Sequence, residues 1–167
     1  MKILILLISV MLFSCTQKSN SVLSEEQKKK IQEEIKPVIA QIYEAAAHVD
    51  TTKLYDVFSF EDDDFTYVEI TGAFYDQAAY KQMVREFYGM LTTEMITKGT
   101  EKYTYINGNN VLWSYSGALT VTFKNGQHTK YEPFGMTLLF RKTNDKWKVV
   151  FLQESTQDPV QADTTKK

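Results

Sequence analysis

The sequence predicts an α+β fold, on three observations. Apolar residues recur at helical spacing through the first half of the chain, and three turn sequences cut the second half into β-type runs. The single cysteine, Cys15, leaves no disulfide to join the two halves, so the domain must be stable through its core alone.

The helices come first. Ser24-Glu25-Glu26-Gln27 has the form of a capping box, in which the serine accepts from a free helix N–H and the glutamine reaches back. Ile31, Ile35, Val38, Ile39, Ile42 and Ala46 then fall three or four apart, on one face. Pro37 lies inside that stripe and predicts a kink or a break, because proline lacks the N–H that a helix interior needs. Asp50 is placed to cap a second, short helix with Leu54, Val57 and Phe58 inward. After the acidic loop Glu61 to Asp64, the run Phe65 to Ile70 is β-rich and is closed by Gly72. Asp76 caps a third helix, predicted to reach about Met95, with Tyr80, Met83, Val84, Phe87 and Leu91 at helical spacing.

The rest is a meander of four strands, divided by turns at Asn107 to Asn110, Asn125-Gly126 and Asn144-Asp145. Two-residue turns fix the register: Tyr115 opposite Met136, Trp113 opposite Leu138, Leu119 opposite Glu132, then Met136 opposite Gln153 and Leu138 opposite Phe151. Period-two alternation then places Trp113, Tyr115, Phe134, Met136, Phe151 and Gln153 on the inner face, which the helices should cover. Tyr103, Tyr105, Leu112, Leu139, Val150, Leu152 and Glu154 fall on the outer face.

The N-terminus carries its own signal. Met1-Lys2 followed by the apolar run Ile3 to Phe13 has the form of a secretory leader, too short for the roughly twenty residues that a membrane span requires. Leu12-Phe13-Ser14-Cys15 resembles the bacterial lipobox, in which the cysteine is lipidated and becomes the first mature residue. The organisation expected is a leader over 1–14, a lipidated tether over 15–23, one domain over 24–156 and a disordered tail over 157–167. The chain is then a lipoprotein of the bacterial envelope, held to the membrane through Cys15, with its domain facing the periplasm. Removing the leader leaves 18 basic against 21 acidic side chains, a formal charge of −3, which excludes a strongly basic nucleic-acid surface.

The phrase Ala45-Ala46-Ala47-His48-Val49-Asp50, the strand ending at Gly72, and the last strand Lys146-Trp147-Lys148-Val149-Val150-Phe151 resemble the nuclear transport factor 2-like superfamily, over roughly residues 25–156. That resemblance implies a cone-shaped α+β barrel, a curved antiparallel sheet wrapped around N-terminal helices, with a pocket between them. It also implies dimerisation through the outer sheet face, here the patch of Tyr105, Leu112, Leu139, Val150 and Leu152. Proton-transfer members of the superfamily use a pocket carboxylate as base beside a hydroxyl or a protonated acid, because an apolar cavity raises a carboxylate pKa toward neutrality.

For such chemistry the sequence offers Glu132 or Glu69 as base and Tyr115 or Tyr67 as hydroxyl donor. The expected ligand-binding residues are Trp113, Tyr115, Phe134, Met136, Phe151 and Gln153. No metal and no cofactor are expected: His48 and His128 have no partner at ligand spacing, and the consecutive acids of Glu61 to Asp64 splay apart instead of converging on a cation. The leading expectation, leaning away from an enzyme, is a binding or accessory role for a small apolar ligand. The alternatives are an isomerase, dehydratase or cyclase acting on a small hydrophobic carbonyl compound, and a protein-binding subunit using the outer sheet face.

Overall fold

The computed structural model describes residues 22–60, 65–97 and 99–157. Cys15, the leader, the acidic run at 61–64 and the tail beyond residue 157 lie outside the described residues. The first helix, α1 (Glu25–His48), begins at the expected capping box, with Gln27 N–H donating to Ser24 Oγ at 3.2 Å and Ser24 N–H donating to Gln27 Oε1 at 2.8 Å. It runs through Pro37 without a break. Pro37 is on the exposed side, where a carbonyl left without its usual donor can turn to water. Ile31, Ile35, Ile39 and Ile42 are buried, as their spacing requires. The helix ends with Val49 in the left-handed region (φ 55°), and Asp50 N–H reaches back to Ala45 O at 2.9 Å while Val49 N–H reaches Ala46 O. Asp50 then turns the chain directly into α2 (Thr51–Tyr55), accepting from Lys53 N–H at 3.0 Å.

Strands β1 (Thr66–Val68) and β2 (Phe74–Tyr75) form a short hairpin, and Asp76 caps α3 (Gln77–Met90). This helix is shorter than expected. Leu91 to Ile96 is a strand, β3 (Leu91–Ile96), paired antiparallel with β5 (Asn110–Phe123). Gly89 weakens the end of the helix, and Leu-Thr-Thr-Glu-Met-Ile is better suited to a pleated surface than to a last helical turn. The remaining strands, β4 (Thr100–Asn107), β6 (His128–Thr143) and β7 (Lys146–Thr156), fall where the turns predicted them. The sheet order is β2-β1-β7-β6-β5-β3, open at both ends, with β4 also paired to β5; the β1–β7 pairing is parallel. The sheet curves around α1.

Four of the ladders shift register: the shift between β3 and β5, at Thr92, puts Leu91 and Glu94 on one face, and three others change which of the expected side chains point inward. Between β4 and β5 the register slips at Ile106, so Tyr105 lies opposite Val111 and Tyr103 opposite Trp113. Tyr103 and Tyr105 are therefore inner residues, and the Tyr105 hydroxyl donates to Lys28 O of α1 at 3.2 Å. Between β5 and β6 the strand β6 carries an extra residue, giving Gly117 opposite Phe134 but Leu119 opposite Tyr131. Tyr131 takes the inner place that Glu132 was expected to hold. Between β6 and β7 the extra residue is Val150, so Met136 lies opposite Glu154 and Leu138 opposite Leu152. Phe151 and Gln153 pass to the outer face, whereas Leu152 and Glu154 pass inward and Val150 is buried at the bulge itself. The expected outer patch does not form as one surface, because Tyr105 and Leu152 are turned away from it and Val150 is buried, leaving Leu112 and Leu139, joined by Phe151.

β5 is the spine of the sheet. Its first half pairs with β4 and its second half with β3 along the same edge, so that edge has to part near residue 117. The Tyr115 hydroxyl fills the gap, donating to Thr97 O at 2.6 Å and accepting from Ala118 N–H at 3.1 Å. Glycine is required beside it: a Cβ on Gly117 would stand 2.1 Å from Tyr115 Oη. Gly117→Ala should lower stability to urea by about 1–3 kcal/mol, because the buried ring cannot move without breaking those bonds. Gly89→Ala, where nothing lies within 4 Å, should raise it by up to about 1 kcal/mol.

Candidate functional site

A cavity of about 230 Å³ opens between the inner sheet face, α3 and the C-terminal half of α1. Ile42 and Ala46 of α1 form one wall, Met83, Val84, Phe87 and Tyr88 of α3 a second, and Leu119, Val121, Phe134, Met136 and Leu138 the sheet side. An engineered apolar cavity of about 150 Å³ accepts benzene, so this one has room for a substituted ring.

Two carboxylates break the apolar surface. Glu94 comes from β3, opposite the buried Val121, and Glu154 comes from β7, past the bulge at Val150. Both are partly buried, with their carboxyl groups toward the cavity and protein elsewhere around them. Each has a tyrosine hydroxyl beside it: Tyr67 Oη donates to Glu154 Oε2 at 2.7 Å, and Tyr88 stands next to Glu94. Tyr80 stands between the pairs, and its ring meets that of Tyr67 edge-on at 5.2 Å.

The electrostatics follow from this enclosure. Burial pushes Glu94 up to about 7, the nearby charge of Glu154 adds to the rise, and the Tyr88 hydroxyl offsets part of it. Burial likewise raises Glu154, against the Tyr67 hydrogen bond that favours its ionised form and with the charge of Glu69 opposing ionisation. The Tyr67, Tyr80 and Tyr88 hydroxyls are held well above the ordinary phenol range, first by burial and then by these carboxylates. At neutral pH the cavity therefore contains un-ionised phenols, and a glutamate poised between acid and base.

Of the residues singled out from the sequence, Tyr67, Glu69, Phe134 and Met136 line the cavity. Glu69 sits at its edge and accepts from Thr71 Oγ1 at 2.7 Å. The others go elsewhere. Glu132 lies on the exposed side of β6, ion-paired with Lys130, because the extra residue in that strand gives its inner position to Tyr131. Trp113 is completely buried away from the cavity, its indole N–H donating to Glu101 at 3.1 Å. The Tyr115 hydroxyl is engaged by the backbone at residues 97 and 118 and cannot serve an oxyanion. Phe151 and Gln153 face outward. His48 and His128 are exposed at a helix end and a hairpin, and among the described residues no three potential ligands gather to hold a metal ion.

Glu94 escaped the sequence reading because it was assigned to a helix, and Glu154 because a regular ladder points it outward. The signals were present: three β-favouring residues flank Glu94, and the run Val149-Val150-Phe151-Leu152 is too continuously apolar for a strand with one face in water.

The match to a family model decides the family: residues 35–159 fit the SnoaL-like domain. The chain belongs to the SnoaL-like family. A search of curated proteins returns no match. Among solved structures, a hexachlorocyclohexane dehydrochlorinase from Novosphingobium barchaimii superposes with a TM-score of 0.71 at 9% identity, covering 86% of this chain and 98% of the other. A nuclear transport factor 2-like superfamily protein from Salmonella enterica gives 0.63 at 16% identity, covering 82% and 95%. A nuclear transport factor 2-like protein of unknown function from Prochlorococcus gives 0.58 at 23% identity, covering 80% and 96%. The cone-shaped α+β fold of the nuclear transport factor 2-like superfamily is thereby established. It is a fold that carries enzymes as well as proteins of unknown function.

The position of Glu94 has a measurable effect on this SnoaL-like domain. Its folded pKa of about 7 lies above the ordinary 4.5, so the native state binds more protons than the unfolded one between those values. Stability is then greatest below about pH 4.5 on this account and is lost as pH rises through 7, by on the order of 3 kcal/mol. Urea unfolding across this range should show that decline, and Glu94→Gln should flatten it.

Proposed function

We propose that the domain is a proton-transfer enzyme of the isomerase or dehydratase type, acting on a small, largely apolar compound whose C–H bond is acidified by a neighbouring carbonyl. The observation that carries this reading is the presence of two carboxylates, each with a tyrosine beside it, on one apolar cavity. A carboxylate taken out of water costs several kcal/mol unless it is paired, and core packing alone would not retain two of them. Because their charges oppose one another, one is ionised while the other keeps its proton, which gives the cavity a base and an acid together.

In the reaction, the ionised glutamate takes the proton from carbon. The electron pair moves toward the carbonyl oxygen, which is met by a proton or hydrogen bond from the protonated glutamate or a phenol. Return of a proton to a different carbon completes an isomerisation, and protonation and loss of a β-hydroxyl group as water completes a dehydration. The apolar walls exclude bulk water from the intermediate. The fold supports such chemistry in that a dehydrochlorinase shares it. Simple binding of an apolar ligand, the role expected first from sequence, accounts for the walls but not for the acids.

We place this domain in the bacterial envelope, anchored through Cys15, on the strength of the lipobox-like sequence alone. Cys15→Ala should move the chain from the membrane fraction to the soluble one after export; retention in the membrane would remove the lipid as its anchor.

Exchange of the α protons of cyclohexanone for deuterium, followed by NMR, tests the chemistry without knowing the natural substrate. The protein should accelerate exchange over buffer, and Glu94→Gln or Glu154→Gln should each cut that acceleration by about 100-fold. Glu132→Gln should leave it unchanged. If the ketone binds in the cavity but its protons do not exchange, the enzymatic reading falls and the binding role stands.

A further inference from the structure

The charges around the cavity are all of one sign. Its titratable lining among the described residues consists of Glu69, Glu94 and Glu154 with four tyrosine hydroxyls, and no lysine, arginine or histidine stands among them. The charge of Glu154 opposes ionisation of Glu94, and that of Glu69 opposes ionisation of Glu154. The basic groups of the inner layer lie elsewhere, such as Lys142, which pairs with Glu34 at 2.8 Å. An anionic ligand would therefore meet only like charge. A cationic one would meet carboxylates it can pair with and, in Tyr67, Tyr80, Phe87, Tyr88 and Tyr131, aromatic faces that attract positive charge.

We infer that the small molecule favoured by this cavity carries a basic nitrogen: a small amphiphilic amine, its apolar body against Ile42, Met83 and Met136 and its protonated nitrogen at the Glu94–Glu154 pair. The inference rests on reading the cavity as a small-molecule site and deepens it by fixing the charge type of what enters. An ammonium group supplies the positive charge that the protein withholds. It also competes with the proton on Glu94, so binding of the amine must weaken as pH falls. The titratable groups that share the cavity with Glu94 are Glu154 of β7, Tyr67 of β1 and Glu69 just after it, Tyr80 and Tyr88 of α3, and Tyr131 of β6.

Benzylamine, benzyl alcohol and benzoate share one ring and differ in charge, and the cavity has room for each. Their binding to the full chain can be measured by NMR titration at about pH 8 and about pH 5.5, on either side of the Glu94 transition. Benzylamine should bind about tenfold or more tightly than benzyl alcohol at the higher pH, with benzoate weakest, and its advantage should shrink at the lower pH. In the Glu94→Gln/Glu154→Gln variant the amine should lose its advantage while the alcohol still binds; the pH series on the unaltered protein supplies the same test if that variant does not fold. Equal binding of the three probes, or a preference for benzoate, would overturn the charge selection and leave the small-molecule site intact. Failure of all three to bind would overturn the inference together with the site on which it rests.

Discussion

A β-strand can bury only every second side chain, and this molecule is organised by where that alternation is kept and where it is broken. β5 keeps it around Val111, Trp113 and Tyr115, all buried, and so supplies the surface against which α1 closes. Single extra residues break it elsewhere in the sheet, at Ile106 in β4, at residues 132–133 in β6 and at Val150 in β7, with a fourth at Thr92 in β3. Each break reverses inside and outside for everything beyond it. The third break matters most, because without it Glu154 would stand in water and Gln153 would face the cavity.

The same constraint explains how acids come to lie in an apolar interior. Glu94 belongs to a six-residue strand whose register is held by β5, with Glu94 opposite Val121 and Ile96 opposite Leu119. It cannot turn outward unless the whole strand slips. Glu154 is held in the same way between β1 and β6. The hydrogen bond from Tyr67 to Glu154 and the Tyr88 hydroxyl beside Glu94 soften the loss of hydration without supplying a counter-charge, so both carboxylates remain under electrostatic tension within a well-packed frame.

Much of this architecture was legible in the sequence. The capping box at Ser24, the isoleucine stripe of α1, the caps at Asp50 and Asp76 and the hairpin turns at Asn110, Gly126 and Asn144 are local signals, and local chemistry settles them. Register was readable beside the Asn144-Asp145 turn, where Thr143 faces Lys146, but not beside Asn125-Gly126, where Leu119 faces Tyr131 and not Glu132. What the sequence concealed was cumulative. A bulge is a one-residue event with a weak signature, yet it changes the face of every later residue in its strand, and the two carboxylates of the cavity lie just beyond such positions or in a segment that imitates a helix. Glu132 and Gln153 looked like site residues for the same reason that Glu154 did not.

The attachment of α1 has a mechanical consequence. Near its N-terminus the helix is fastened to the sheet at Lys28, whose carbonyl takes the Tyr105 hydroxyl, and at Glu34, which holds both Lys142 and the indole N–H of Trp147 at 2.8 Å. These fastenings reach strands β4, β6 and β7 near their hairpin ends. The residues of α1 that wall the cavity, Ile42 and Ala46, come two or more turns later. A force applied to the chain at Ser24 is thus delivered to the sheet before it reaches the cavity, which leaves the domain free to be pulled, tilted or tethered from that end while the chamber keeps its shape.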